Sequence, residues 1–373
     1  MKTKENIEYQ QAVKQDENKI ILPGQNPRGE YILSALVKRT YDINRDRKCT
    51  RAKKDNKIIP GDIHYDGPMN SSVKFESDFV PFKLKTDVVL NGNVYTPSGA
   101  FKPYCTASLS VQNMRKDIII IGNRTCKYHF FRDPEFSDPE PFTRMKIRYE
   151  NAYGGVDIYS DPKTHCIYAR NHLGKGFVIK DLKRTIDGLS LPNIEDPNNP
   201  VTPETLCVEE ISKWKEQPFP TGFGWFSKYW QPRSTYGGVM PADKPIEKKL
   251  RDMFTPIVPE AQRDLYRQSK LPSMDFLFFN GSSQGLAFPY LKGNEVIKTV
   301  NLNPEGSFNF QLPGENPELS LDFGFGTQEP EVVLHTVMIM MDEMKVDMVW
   351  RAAVPYPGPE FLSELKKMEV SVA

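Results

Sequence analysis

Gly281-Ser-Ser-Gln-Gly285 spells Gly-x-Ser-x-Gly, the spacing that can lift a serine hydroxyl, here Ser283, onto a tight turn as a nucleophile. Such a turn joins a strand to a helix, and Leu286-Ala-Phe-Pro289-Tyr-Leu cannot start one. The downstream histidine, His335, falls in an alternating strand pattern, so the pentapeptide reads as a polar loop. His64, His129, His165, Cys166 and His172 show neither i, i+4 spacing nor a repeated Cys/His pair, and read as hydrogen-bonding residues rather than metal ligands. Cys49, Cys105, Cys126, Cys166 and Cys207 are odd in number and form no Cys-x-x-Cys, the pattern of free thiols in a reducing compartment. Neither Gly-x-x-x-x-Gly-Lys-Ser/Thr nor Gly-x-Gly-x-x-Gly occurs, so nothing cradles a phosphate at a helix start. With 48 acids, no carboxylate pair can be singled out for glycoside hydrolysis. The expectation is a protein that is not an enzyme and holds no cofactor and no metal.

Recognition is better represented. The loop Phe219-Pro-Thr-Gly-Phe-Gly-Trp-Phe-Ser-Lys-Tyr-Trp-Gln-Pro-Arg-Ser-Thr-Tyr236 crowds Phe223, Trp225, Phe226, Trp230 and Tyr236 around Arg233, the residue types that anchor protein interfaces. The same residues could instead plug one end of a β sandwich, with Arg233 stacked on a ring. A second candidate is Asn171-His-Leu-Gly-Lys-Gly-Phe177, in which Gly174 and Gly176 permit a positive φ or close approach of another backbone. The partner-binding candidates are therefore Phe223, Trp225, Phe226, Trp230, Arg233, Tyr236, Asn171, Gly174, Gly176 and Phe177.

The elements that must position these loops are mostly strands. Tyr31 to Ile43 is rich in β-branched and aromatic residues without helical order, and Ala107, Leu109 and Val111 alternate. Ile118 to Ile121 reads as a strand buried on both faces. Thr86 to Leu90 runs into Asn91-Gly92-Asn93, the chemistry of a tight hairpin turn. Met274 to Phe279, Glu295 to Leu302 and Phe308 to Leu312 read as further strands, and Val332 to Ala352 as a hairpin with one apolar face, turning at Asp342-Glu343. Residues 1–24 read as a flexible tail, 25–355 as one large β-sandwich-like domain with long loops, about 243–269 as a small helical insertion, and 356–373 as a C-terminal helix or tail. The 31 prolines exclude a long-helix bundle and punctuate a loop-heavy middle from about Phe131 to Tyr236. Lys plus Arg number 49 against 48 Asp plus Glu, a formal charge of +1, which speaks against nucleic acid or an acidic membrane as partner. That balance implies a partner surface of shape and aromatic contact rather than of strong field. The basic run Arg39 to Lys57 is diluted by Asp42, Asp46 and Asp55 and reads as a solvated loop. No secretory or membrane-spanning segment is legible, so the chain is expected in the cytoplasm.

An ordered series of short motifs adds a resemblance. Ser77-Asp78 leads to Pro81-x-Lys83-x-x-Thr86-Asp87-Val88-x-Leu90-Asn91-Gly92, then Gly122-Asn123-Arg124, Tyr149-Glu-Asn-Ala-Tyr-Gly-Gly155 and Asn171-x-x-Gly174-Lys-Gly-Phe177. Leu191-Pro-Asn-Ile-Glu195 and Gly222-Phe-Gly224 follow, with Trp230 and Arg233. Asp275-Phe276-x-Phe278-Phe-Asn280, Gly293-x-Glu295, Asn301-Leu302, Leu312-Pro313 and Trp350-Arg-Ala352 complete the series. Together, over roughly Tyr31 to Ala353, they resemble a domain-of-unknown-function family encoded in bacterial type VI secretion operons beside spike and effector genes. The resemblance implies an adaptor or chaperone that stabilises a cargo effector, often one joined to a PAAR domain, and passes it to the VgrG spike. It carries over no catalytic residue. The chain departs from the family pattern at Asn171-His172, where Asn-Pro is usual, and at Gly281-Ser282-Ser283, where Ala-Pro is usual. A hydrolase or carbohydrate-binding module using the aromatic loop 219–236 as a stacking platform is the alternative.

Overall fold

Thirteen residues without polar alternation, Tyr31–Ile43, form the longest strand among the described residues, buried along nearly its whole length. A computed structural model describes residues 17–372 apart from 69, 128, 130–133, 158–165, 180–185, 209–210, 238–245, 248–274, 323–325 and 356–366. Tyr31–Ile43 belongs to a seven-stranded sheet that runs Lys19–Gln25, Tyr31–Ile43, Lys345–Pro355, Val332–Met340, Thr86–Asn91 and Ala287–Phe288, with Cys49–Arg51 also paired to Tyr31–Ile43. Every pairing in it is antiparallel except that of Val332–Met340 with Thr86–Asn91, which sets Thr336 opposite Asp87 and Met340 opposite Asn91. A five-stranded antiparallel sheet faces it, in the order Ile194–Glu195, Met114–Ile121, Tyr104–Val111, Val296–Val300 and Ser307–Gln311.

Inward side chains of both sheets share one core: Val88, Leu90, Val337, Ile339 and Trp350 from the first, Leu109, Ile118, Ile120, Ile297 and Phe310 from the second. This is sandwich packing, and the mainly-β architecture expected from the sequence is the one observed. The first sheet is also covered on its other face. Leu319 and Leu321 of Pro317–Asp322 pack on Ala35, Val37 and Val354, while Val73 and Trp225 pack on Val89, Met338 and Met340. Burial on both faces explains why Tyr31–Ile43 shows no alternation. It also corrects the one-faced reading of the Val332–Pro355 hairpin, whose turn at Met341–Glu343 lies where expected.

Several elements differ from the sequence reading. Lys19–Gln25 falls, but for its last residue, in the stretch read as a tail and is a strand paired along Tyr31–Val37, because Ile20 and Ile21 are buried. Asn91-Gly92-Asn93 is no hairpin turn: Thr86–Asn91 stays in the large sheet, and Asn93–Tyr95 pairs with Arg144–Lys146. Residues Phe276–Phe279 form a 3-10 turn instead of a strand, because Asp275 Oδ1 accepts the Leu277 N–H at 2.9 Å and closes the chain on itself. Ile246–Glu247, inside the expected helical insertion, is a short strand against Cys166–Ile167, and the rest of 243–269 lies outside the described residues. Lys367–Val372, inside the expected C-terminal helix or tail, is a strand paired with Pro317–Asp322, consistent with Met368, Val370 and Val372 alternating. The loop-heavy middle has a core of its own, in which Tyr153, Tyr168, Phe177 and Trp214 pack with Val178, Leu191 and Leu206. In the basic run, Arg51 pairs with Asp55, and Lys54 and Lys57 pair with Glu17.

Truncating the chain before Lys367 removes the longer of the two strand partners of Pro317–Asp322, leaving only Thr327–Gln328, and should lower the melting temperature by at least about 3 °C. A scan of the truncated protein against the full chain checks this; equal midpoints would mean the segment contributes nothing.

Candidate functional site

One strand in from the edge of the seven-stranded sheet, between Thr336 and Ala287, the chain sinks a carboxylate into the core. Asp87 is fully buried, and its oxygens accept from Lys83 Nζ (2.7 Å), Ser282 Oγ (2.8 Å), the Gly281 and Ser282 N–H groups (3.1 and 3.2 Å) and Asn280 Nδ2 (3.2 Å). Burial alone would raise the carboxyl, but the Lys83 charge and these donors outweigh it and hold the group below the usual carboxylate range. Next to it Arg233 donates Nη2 to Glu76 Oε1 at 2.6 Å and Nε to the Phe278 carbonyl at 2.9 Å. Gly281 lies between the two clusters; a Cβ there would collide with Glu76 Oε2 and sit 2.8 Å from Arg233 Nη1.

Ser283 follows immediately, and it has a partner of catalytic type. Lys116 Nζ lies 2.7 Å from Ser283 Oγ and 2.7 Å from the Gln284 carbonyl. Burial pushes the lysine down to about 7, with Asp196 opposing. The distance and the lowered lysine fit a Ser–Lys nucleophile and base. Access does not fit, because Ser283 is 1% exposed and the chain continues into a turn and the Ala287–Phe288 strand rather than a helix. Lys116 thus anchors the loop from the facing sheet. The sequence reading missed it, although Lys116, Ile118 and Ile120 share one parity along Met114–Ile121 and therefore one face.

The aromatic loop closes the end of the sandwich. Phe223, Trp225, Phe226 and Trp230 are all buried; Phe226 and Trp230 meet Tyr149 with centroids 5.8 and 5.2 Å apart. The Phe223 carbonyl accepts from Leu90 N–H at 2.9 Å, which satisfies the sheet edge. Trp225 lies under Lys83, and Trp230 Nε1 donates to His172 Nδ1 at 3.1 Å. Of the six residues nominated here, only Tyr236 keeps partial exposure. Rings at this depth offer a partner no contact area, so the plug is the arrangement found and the contact-surface expectation is corrected.

The second nominated turn is also scaffold. Asn171 is fully buried and donates Nδ2 to the Tyr149 and Tyr153 carbonyls at 2.8 and 3.0 Å. Gly174 packs where a Cβ would lie 2.5 Å from the Ala152 carbonyl oxygen, and Gly176 has φ 92°. Phe177 fills the second core. His64 Nδ1 sits 2.9 Å from the Ser71 carbonyl, and His335, the histidine downstream of Ser283, is buried beside Lys83 N–H. His165 lies outside the described residues. Among the described residues, no three His, Cys, Asp or Glu side chains gather as a metal site, and no helix is long and apolar enough to cross a membrane.

A family model described as an uncharacterized protein conserved in bacteria (DUF2169) matches residues 28–351. The chain belongs to the DUF2169 family. Neither a curated protein nor a solved structure matches it. The matched DUF2169 segment contains Asp87, Asn171, Arg233 and Asn280, each spent on holding main chain in place.

Replacing Trp230 or Trp225 with Ala should cost about 3–5 kcal/mol of stability in urea unfolding; a loss below about 1 kcal/mol would put the rings in solvent. Lys116 yields a pH signature. An unfolded chain keeps this proton to about pH 10.4 and the folded chain releases it near 7, so the handicap on folding is full below pH 7 and is relieved as pH rises toward 10. Unfolding free energies of the wild type should therefore gain on those of Lys116→Met by about 1–3 kcal/mol between neutral and pH 10. A constant difference would place the ammonium in water.

Proposed function

We propose that this chain is a non-catalytic adaptor of a type VI secretion system. It binds and stabilises a cargo effector or PAAR-domain protein in the cytoplasm and promotes its loading onto the VgrG spike. The observation that carries this reading is the ordered motif series from Ser77-Asp78 to Trp350-Arg351-Ala352, which lies in the matched family segment to within one residue. The geometry is in keeping with it. Motif residues such as Asp87, Asn171 and Arg233 build a rigid frame, as expected where the shared part of a family is scaffold and cargo is met on the outer surface. A sealed Ser283 supports a binding role over hydrolysis. Sugar stacking needs an exposed indole face, and Trp225 and Trp230 are 5% and 1% exposed.

Co-expression with the product of a neighbouring effector or PAAR-domain gene should give a complex that co-purifies, together with a higher soluble yield of the cargo. Clean expression of both proteins with no complex and no change in cargo level would sink the proposal.

A further inference from the structure

The buried lysines and arginines among the described residues are Lys38, Arg39, Lys83, Arg233 and Arg351. Four of them have a carboxylate: Lys38 lies 2.8 Å from Asp78, Arg39 3.3 Å from Glu315, Lys83 2.7 Å from Asp87 and Arg233 2.6 Å from Glu76. Arg351 has none. It is 6% exposed, its Nε is enclosed without a hydrogen-bond partner, and among the described residues no carboxylate lies within ion-pair distance of it. The exposed Glu331 acts on it only from farther away. A buried charge without a partner is costly to hold, and the other four show that this fold ordinarily supplies the acid. The missing acid is therefore the property of Arg351 that needs a cause.

Trp350 and Arg351 stand on opposite faces of Lys345–Pro355, so the indole enters the main core and the guanidinium takes the other side, between Leu36 and Val333. On that side the segment from Asp78 to Leu84 crosses the sheet. Lys38 ties down its Asp78, Ser34 Oγ donates to its Pro81 carbonyl at 2.6 Å, and its Lys83 reaches Asp87. The Phe82 ring centroid lies 4.3 Å from Arg351 Cζ, and the neighbouring Tyr290 hydroxyl donates to the Lys83 carbonyl. Beyond Phe82 the surface is apolar. Phe276 meets its ring at 5.7 Å, both rings are half-buried, and Leu84 and Tyr290 are exposed. An arginine held flat by one ring and rimmed by apolar side chains has the make-up of an interface anchor.

We propose that Arg351 anchors a carboxylate carried by a partner protein, on an Asp or Glu flanked by apolar residues that settle on Phe82, Leu84, Phe276 and Tyr290. Charge complementarity fixes the acid. Folding has already stripped water from the guanidinium, so the arriving carboxylate meets a cation whose own desolvation is nearly complete. Its route to the Nη groups runs beside Tyr290, an exposed ring that can rotate aside. The collar fixes the neighbours of the acid, because a free phosphate or a nucleic-acid backbone would bring charge but nothing to cover the rings. That the carboxylate arrives on a protein rests on the adaptor reading; the preference of this surface for an acid among apolar residues does not.

The test is a fluorescence-anisotropy titration of the full chain with the labelled, end-blocked peptide Leu-Phe-Asp-Leu, against the same peptide with Asn in place of Asp. Saturable binding of the Asp peptide is expected, weaker by about tenfold or more for the Asn peptide and for Arg351→Met. Leu84→Glu, a change at an exposed position that should fold, is expected to weaken binding about threefold or more, while Leu84→Lys retains it. Melting separates an anchor from a scaffold role. Arg351→Met removes a charge without a partner and should melt within about 2 °C of the wild type, whereas Arg233→Met strips Glu76 of its cation and should melt lower by about 5 °C or more. No saturation up to about 1 mM, equal binding of the Asn peptide, or unchanged binding by Leu84→Glu would overturn the proposal. So would an Arg351→Met melting loss as large as that of Arg233→Met, or displacement of the peptide by inorganic phosphate. A failure of cargo capture on co-expression leaves these measurements unaltered, so the two readings fail separately.

Discussion

Asp87 is the point on which the Thr86–Asn91 side of the large sheet depends. A carboxylate moved out of water without compensation is too costly to keep charged, so its environment must supply donors from every side. Lys83 reaches it from four residues earlier, and Asn280, Gly281 and Ser282 reach it from almost two hundred residues later. Once those donors are placed, Gly281 is pressed against the Glu76–Arg233 pair, and Arg233 in turn holds Phe278 and the aromatic loop. The loop then covers the open edge of Thr86–Asn91 through the Leu90–Phe223 bond. One buried charge therefore joins Lys83 to residues 280–282 and, through Gly281, to the Glu76–Arg233 pair.

This constraint also explains why the residues most suggestive of chemistry carry none that a substrate could reach. Ser283 sits one residue beyond the Asp87 ligands, and Lys116 reaches it from the opposite sheet. The pair ties the two halves of the sandwich where a nucleophile and base would otherwise have to open to solvent. Trp230 is likewise consumed by closing the end of the sandwich against Tyr149, and Trp225 by covering the outer face of the large sheet under Lys83.

Much of the sheet structure was legible because strand periodicity is local. Ala107, Leu109 and Val111 alternate, Ile118 to Ile121 is continuous, and the Val332–Pro355 hairpin announces its turn. What escaped depends on partners far away in sequence. Asn91-Gly92-Asn93 has hairpin chemistry, but the strand after it finds Arg144–Lys146 instead of its neighbour. Phe276–Phe279 has strand composition, yet a single Asp275 side-chain bond favours a 3-10 turn. The aromatic loop could be read as surface or plug with equal chemical sense, and burial alone decides. The short strands of the middle region, two residues each, are held by Asn171 and by the aromatics of the second core, neither of which leaves a periodic trace.

A formal charge of +1 suggested a partner surface without a strong field, and the burial of the aromatic loop removes the surface that was to replace it. Net charge sums over a molecule, whereas a docking group responds to charges within a Debye length, about 8–10 Å in ordinary salt. Arg144, Lys146 and Arg148 gather beside one cleft with Lys74, and Asp66, Asp342 and Glu343 stand next to them, so much of the cancellation is local. The alternation Arg-Met-Lys-Ile-Arg stood in the sequence throughout. Its meaning depended on knowing that Met145 and Ile147 turn into the core, for only then must the three cations share the outer face.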